Sequence, residues 1–118
     1  MKTIFVIDDS DTNLATAEEA LEDHFNVITL PSAAKMFSLF EKIMPNLILL
    51  DIEMPEMNGF EALERLKADD LLAKIPVFFL TGTVNASIVE QSSKLGAVGI
   101  ISKPFIKDAL IEKINSHI

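Results

Sequence analysis

Along this chain, short apolar runs alternate with longer segments of mixed apolar and polar residues. Runs dominated by apolar residues fall at Thr3–Ile7, Asn26–Leu30, Leu47–Leu50, Val77–Leu80 and Val98–Ile101. They are short, rich in Ile, Val, Leu and Phe, and bounded by polar or turn-forming residues. Length and flanks therefore predict strands rather than helices. Leu47–Leu50 is apolar at every position, the pattern of a parallel strand covered on both faces.

The segments between them carry helical spacing. Leu14, Ala17, Glu18 and Leu21 share a face behind Ser10 or Asp11, either of which can cap a helix. Ala33, Phe37, Phe40 and Met44 form a second stripe behind Ser32, closed by Pro45. Phe60, Leu63 and Leu66 follow Gly59, and Val84, Ile88, Gln91 and Leu95 precede Gly96, a natural helix C-cap. Ile106, Leu110 and Ile114 form the last stripe. Strict strand–helix alternation predicts an α/β fold, a doubly wound parallel sheet flanked by helices. For five strands the flavodoxin-like order 2-1-3-4-5 is the common arrangement. One domain over residues 1–118 is expected.

Composition narrows the function. The chain has no Cys, so thiol catalysis and disulfides are excluded. A net charge of −8 argues against gripping nucleic acid or an anionic membrane directly. No apolar run has the length of a signal-peptide core or a membrane span, and a cytoplasmic protein is expected.

Ligands of such sheets sit beyond the carboxyl ends of the strands, where the strand order reverses. Asp8 and Asp9 follow the first run, Asp51 the third and Thr81 the fourth; Lys103 and Pro104 come after the fifth, behind Ser102. Taken singly, each has an ordinary explanation. Asp8 and Asp9 could cap a helix, Asp51 could open a turn before Pro55, Thr81-Gly82 is turn chemistry, and Lys103 could be a solvated charge. Taken together, they place three carboxylates, a hydroxyl and an ammonium at one end of the sheet. Three clustered carboxylates repel one another. One divalent cation and one Lys would neutralise them, and Mg²⁺ suits hard oxygen ligands with retained waters. An Asp can act as nucleophile, and phosphoryl transfer needs chiefly positioning and charge neutralisation.

The segments Ile4–Asp9 (IFVIDD), Leu47–Phe60 (LILLDIEMPEMNGF), Phe79–Gly82 (FLTG) and Gly96–Phe105 (GAVGIISKPF) resemble the receiver domains of bacterial response regulators, the CheY-like family. The most specific part is Met54, Pro55, Asn58 and Gly59 after Asp51. The resemblance implies a two-component switch phosphorylated on Asp51. It implies Mg²⁺ held by Asp9 and Asp51 directly, by Asp8 through water and by the backbone carbonyl of Glu53. Lys103, the Thr81 hydroxyl and the Gly82 backbone N–H would bind the phosphoryl oxygens, Lys103 pairing with Asp51 beforehand. The Lys103–Pro104 bond would be cis. The donor would be a phosphohistidine on a histidine kinase or phosphotransfer protein. The output would be a downstream protein that reads the face of the fourth helix, fifth strand and fifth helix, where a homodimer is also a family-level option. Such a protein is a switch and not a turnover enzyme. One position departs from the pattern: Ile100 stands where receivers usually carry Tyr or Phe, so no ring is available there to swing between rotamers.

Two rivals remain at this level. The segment Asp9-Ser10-Asp11-Thr12 has the spacing of a haloacid-dehalogenase-type phosphatase, but Asp8 is what directly follows the strand, and residues for a cap are lacking. A receiver-fold module that binds partners without phosphorylation is the other. His24 and His117 lie near helix ends and are read as solvated.

Overall fold

A computed structural model describes all 118 residues. The strands are β1 (Thr3–Ile7), β2 (Asn26–Leu30), β3 (Leu47–Asp51), β4 (Val77–Thr81) and β5 (Gly99–Ser102). The helices are α1 (Asp11–Leu21), α2 (Ala33–Leu39), α3 (Gly59–Lys67), α4 (Ala86–Leu95) and α5 (Lys107–Asn115), with one 3₁₀ turn at Leu72–Lys74. All neighbouring strands pair in parallel, in the order β2-β1-β3-β4-β5. No helix is long and apolar enough to cross a membrane.

Period-two alternation divides the sheet between two cores. Ile4, Val6, Leu47, Leu49, Phe78 and Leu80 pack with α1 and α5 residues such as Leu14, Leu21, Leu110 and Ile114. Phe5, Ile7, Ile48, Leu50, Val77 and Phe79 pack with Met36 of α2 and Ala62, Leu63 and Leu66 of α3. Because β1, β3 and β4 are covered on both faces, their sequences are almost unbroken apolar runs.

The helices begin where polar side chains cap them. Ser10, Ser32, Asn58 and Asn85 each accept a hydrogen bond from the first turn. Asn58 and Glu61 form a reciprocal capping box. Gly96 ends α4 in the left-handed conformation at φ 91°.

Several expected boundaries shift. The helix read as far as Met44 stops at Leu39, and Met36 rather than Met44 enters the core. Val84 lies outside α4, and Ile106 is an exposed N-cap, so neither belongs to its expected stripe. In α4 the buried side chain is Ser92. The strand expected at Val98–Ile101 runs from Gly99 to Ser102. Asp51 and Thr81 are the last residues of β3 and β4 rather than residues after them.

Candidate functional site

The register of the central strands brings distant carboxylates together. Ile7 lies level with Leu50, so Asp8, one residue on, meets Asp51 across the β1–β3 boundary. Asp8 and Asp51 follow Ile4/Val6 and Leu47/Leu49 in the alternation, which puts both on the α1/α5 side of the sheet. Asp8, Asp9 and Asp51 each offer a carboxylate oxygen, and these oxygens all lie within 4.8 Å of one another. Asp8 is fully buried and Asp51 nearly so at 4% exposure, while Asp9 faces solvent.

Lys103 arrives from the end of β5, where Ser102 is level with Thr81 and the following Lys103–Pro104 bond is cis. Its Nζ donates to Asp8 Oδ2 and to Asp51 Oδ1, each at 3.1 Å. Asp51 Oδ1 also accepts from the backbone N–H of Glu53 at 3.4 Å. Three carboxylates against one ammonium leave two negative charges unmatched.

That excess shows in the proton affinities. Burial, then repulsion from Asp8, raises Asp51 from 3.8 to about 6, although Lys103 and the Glu53 N–H pull the other way. For Lys103, burial acts to lower the pKa, but the hydrogen bonds and charges of Asp51 and Asp8 outweigh it and raise the pKa above its ordinary value.

Thr81 ends β4 in phase with Val77 and Phe79, on the α2/α3 side of the sheet; it is 2% exposed, its hydroxyl engaged twice with Thr83. The hydroxyl donates to the Thr83 carbonyl at 2.8 Å and accepts from the Thr83 N–H at 3.0 Å. Gly82 is exposed, with open space where a Cβ would stand. Glu53 is exposed, and Ile100 is half-buried against the core beside Phe79.

The loop between β3 and α3 is pinned under the site. The Gly59 N–H donates to the Ile52 carbonyl at 2.8 Å, and a Cβ on Gly59 would lie 2.4 Å from the Asp51 carbonyl oxygen. Close approach, not backbone conformation, therefore dictates glycine here. Glu56 turns this loop at φ 68°, unusual for a residue with a Cβ.

A carboxylate cluster with a bridging lysine at the carboxyl end of a 2-1-3-4-5 sheet agrees with the family match. The response regulator receiver domain model matches residues 4–115. The chain belongs to that family. It is a receiver domain of two-component systems, a class of signalling switch generally distinct from turnover enzymes. This receiver is 30% identical over 118 residues to the polar-differentiation response regulator DivK of Brucella anthropi, covering 99% of this chain and 96% of that protein. It is 32% identical over 116 residues to a probable cyclic di-GMP phosphodiesterase of Vibrio cholerae, covering 98% of this chain but only 26% of that protein. It therefore spans about a quarter of the latter relative and nearly all of the former. In fold, the receiver superposes on the chemotaxis protein CheY4 of Vibrio cholerae with a TM-score of 0.94 at 23% identity, covering 100% and 99% of the two chains.

Receiver domains bind Mg²⁺ through an acidic pocket, and the donors here fit that ion. They are hard oxygens in excess of the available positive charge, and the exposed Asp9 leaves room for retained water. Asn13, which sequence reasoning did not single out, also reaches the pocket: its side-chain Nδ2 donates to Asp8 Oδ2 at 3.3 Å.

The raised Asp51 pKa gives the metal-free receiver a pH signature. The folded state holds a proton on Asp51 up to about pH 6, whereas the unfolded chain releases it near 3.8. This stabilising term is fully present below 3.8 and is lost as pH rises through about 6. Denaturant unfolding in EDTA should show wild type losing stability relative to Asp51→Asn, by roughly 3 kcal/mol, across that window. Parallel pH profiles for the two proteins would contradict the shift.

Proposed function

We propose that this receiver accepts a phosphoryl group on Asp51 from a phosphohistidine donor, with Mg²⁺ as cofactor, and passes the change to a partner protein. The observation that carries the reading is the bridge of Lys103 Nζ between Asp8 and Asp51 inside the three-carboxylate cluster. In the transfer, an Asp51 carboxylate oxygen bonds to phosphorus and the phosphorus–nitrogen bond of the donor breaks. The imidazole nitrogen keeps the electron pair and takes up a proton.

Asp9 and Asp51 would hold the metal directly, with the Glu53 backbone carbonyl as a further ligand. Asp8 would act through a bound water, a role suited to a carboxylate whose oxygens already accept from Lys103, Asn13 and the Ser10 N–H. Bound Mg²⁺ supplies positive charge against the phosphoryl oxygens as negative charge gathers there. Lys103 then turns from Asp51 to a phosphoryl oxygen. Thr81 and the Gly82 N–H complete the cradle, and Thr81 must exchange its bonds to Thr83 for one to the new group.

The output runs through the β4–α4 loop to the face of α4, β5 and α5. Exposed Val84, Val89, Val98 and Ile106 lie on or beside that face, which would serve a downstream partner or a second copy. With Ile100 packed and no ring in that position, repacking of the Thr81 loop carries the signal. The donor would be a histidine kinase or a phosphotransfer protein.

The test is incubation with acetyl phosphate, with Mg²⁺ or with EDTA, followed by intact-mass measurement. One added phosphoryl group is expected with Mg²⁺ and almost none with EDTA. No labelling, or equal labelling in both, would overturn the reading and favour a receiver-fold module that works by binding alone.

A further inference from the structure

We propose that Asn13 is a positioning residue of the acidic pocket, its side-chain amide holding Asp8 in place for the cation. The inference rests on the Mg²⁺ reading of that pocket and adds a residue to it.

The local sequence builds a closed ring of hydrogen bonds. Asp8 Oδ1 accepts from the Ser10 N–H at 3.0 Å. Ser10 Oγ, the N-cap of α1, accepts from the Asn13 N–H at 3.3 Å. Asn13 Nδ2 donates back to Asp8 Oδ2 at 3.3 Å. The Asp8-Ser10-Asn13 spacing thus places Asn13 in the first turn of α1, facing the end of β1. Asn13 is half-buried, and its side-chain amide makes this one hydrogen bond. Because a carboxylate at neutral pH only accepts, the NH₂ end of the amide must face it.

The contact matters because Asp8 has no solvent to fall back on. It is 0% exposed, and its Oδ2 is shared between Asn13 and Lys103, whose Nζ lies at 3.1 Å. When Lys103 leaves for a phosphoryl oxygen, Asn13 is the donor that stays. A buried carboxylate oxygen stripped of both donors would bear the full cost of desolvation. Asn13 also fixes the rotation of the carboxylate, so that Asp8 presents one orientation to the cation and its water. Partners of direct metal ligands commonly alter metal affinity by about 10–100-fold when removed; because Asn13 acts through Asp8 and its water, the low end of that range is expected.

The experiment compares wild type, Asn13→Leu and Asn13→Gln. Leu keeps the size and removes the donor; Gln keeps an amide. Mg²⁺ affinity is read by titration calorimetry, and stability by denaturation in EDTA. The Asp8 Cγ resonance in EDTA reports the hydrogen bond without metal. Asn13→Leu is expected to weaken Mg²⁺ binding on the order of tenfold, more than its change in denaturation midpoint in EDTA accounts for. It should also shift Asp8 Cγ, and Asn13→Gln should restore most of the affinity. Leu binding Mg²⁺ like wild type, affinity falling only in step with stability, or Gln doing no better than Leu would overturn the proposal. If wild type bound no Mg²⁺, the reading of the pocket would fall. An Asp8 Cγ resonance unmoved in Asn13→Leu would then overturn the Asn13 assignment separately.

Discussion

Asp51→Asn, incubated with acetyl phosphate and Mg²⁺, is expected to gain no phosphoryl group under conditions where wild type gains one. The amide keeps an oxygen for Lys103 Nζ, which donates to Asp51 Oδ1 at 3.1 Å, so the pocket should keep its shape. What disappears is the nucleophile: an amide oxygen carries no full charge and forms no stable acyl phosphate. The variant also removes one of the three carboxylates around the cation, and Mg²⁺ affinity should fall with it. In EDTA the same change is expected to stabilise the fold at neutral pH, because burial and Asp8 both act against the Asp51 charge. Intact mass reads the first effect and denaturant unfolding the second. Labelling of Asp51→Asn as complete as that of wild type would mean the acceptor lies elsewhere.

Gly59→Ala is expected to cost about 1–3 kcal/mol of stability, through overpacking rather than backbone strain. A Cβ there would lie 2.4 Å from the Asp51 carbonyl oxygen and 2.8 Å from Ile52 Cα. Both are backbone atoms of the strand end and its exit, which cannot rotate aside like a side chain. Alanine would favour the helix itself by up to about 1 kcal/mol, which does not offset such a clash. Relief requires α3 to lift from β3, stretching the 2.8 Å bond from Gly59 N–H to Ile52 and moving the Asp51 backbone. Slower phosphorylation from acetyl phosphate should therefore accompany the lost stability. Urea unfolding checks the first part, and a midpoint equal to wild type would show that the contact relaxes freely.

The same contact explains which parts of the fold could be read from the chain. The Asn58-Gly59 pair stood out as a motif, and its physical basis is a helix start that caps itself and sits directly on a strand end. The central strands were legible because burial on both faces forces continuous apolar sequence, as in Leu47–Leu50. Strand ends were less so. Asp51 and Thr81 are polar yet still paired in the sheet, since their side chains are buried and bonded, Asp51 to Lys103 and Thr81 to Thr83. The α2 stripe misled because Phe37 and Phe40 meet edge to face at the rim, with Phe40 stacked on Phe5, while the helix itself ends at Leu39.

The site was legible as a set of residue types at strand ends, but its wiring was not. Lys103 was expected to meet Asp51, and its equal contact with Asp8 depends on side-chain reach that spacing does not encode. Asn13 left a faint signal, an amide three residues after a capping serine. Only the folded end of β1 shows what the amide faces.

The closed pair of bonds between Thr81 and Thr83 has an implication for noise in the pathway. A hydroxyl whose proton and one lone pair are already engaged gains little from turning toward the carboxylate cluster. If Asp51 is phosphorylated as proposed, spontaneous excursions to the signalling shape would be rare, and the domain would stay silent until a group arrived that binds the hydroxyl more strongly than a backbone carbonyl does. On that reading the threshold rests on two residues, Thr81 at the end of β4 and Thr83 just beyond it, and altering either would change how often the domain signals unprompted.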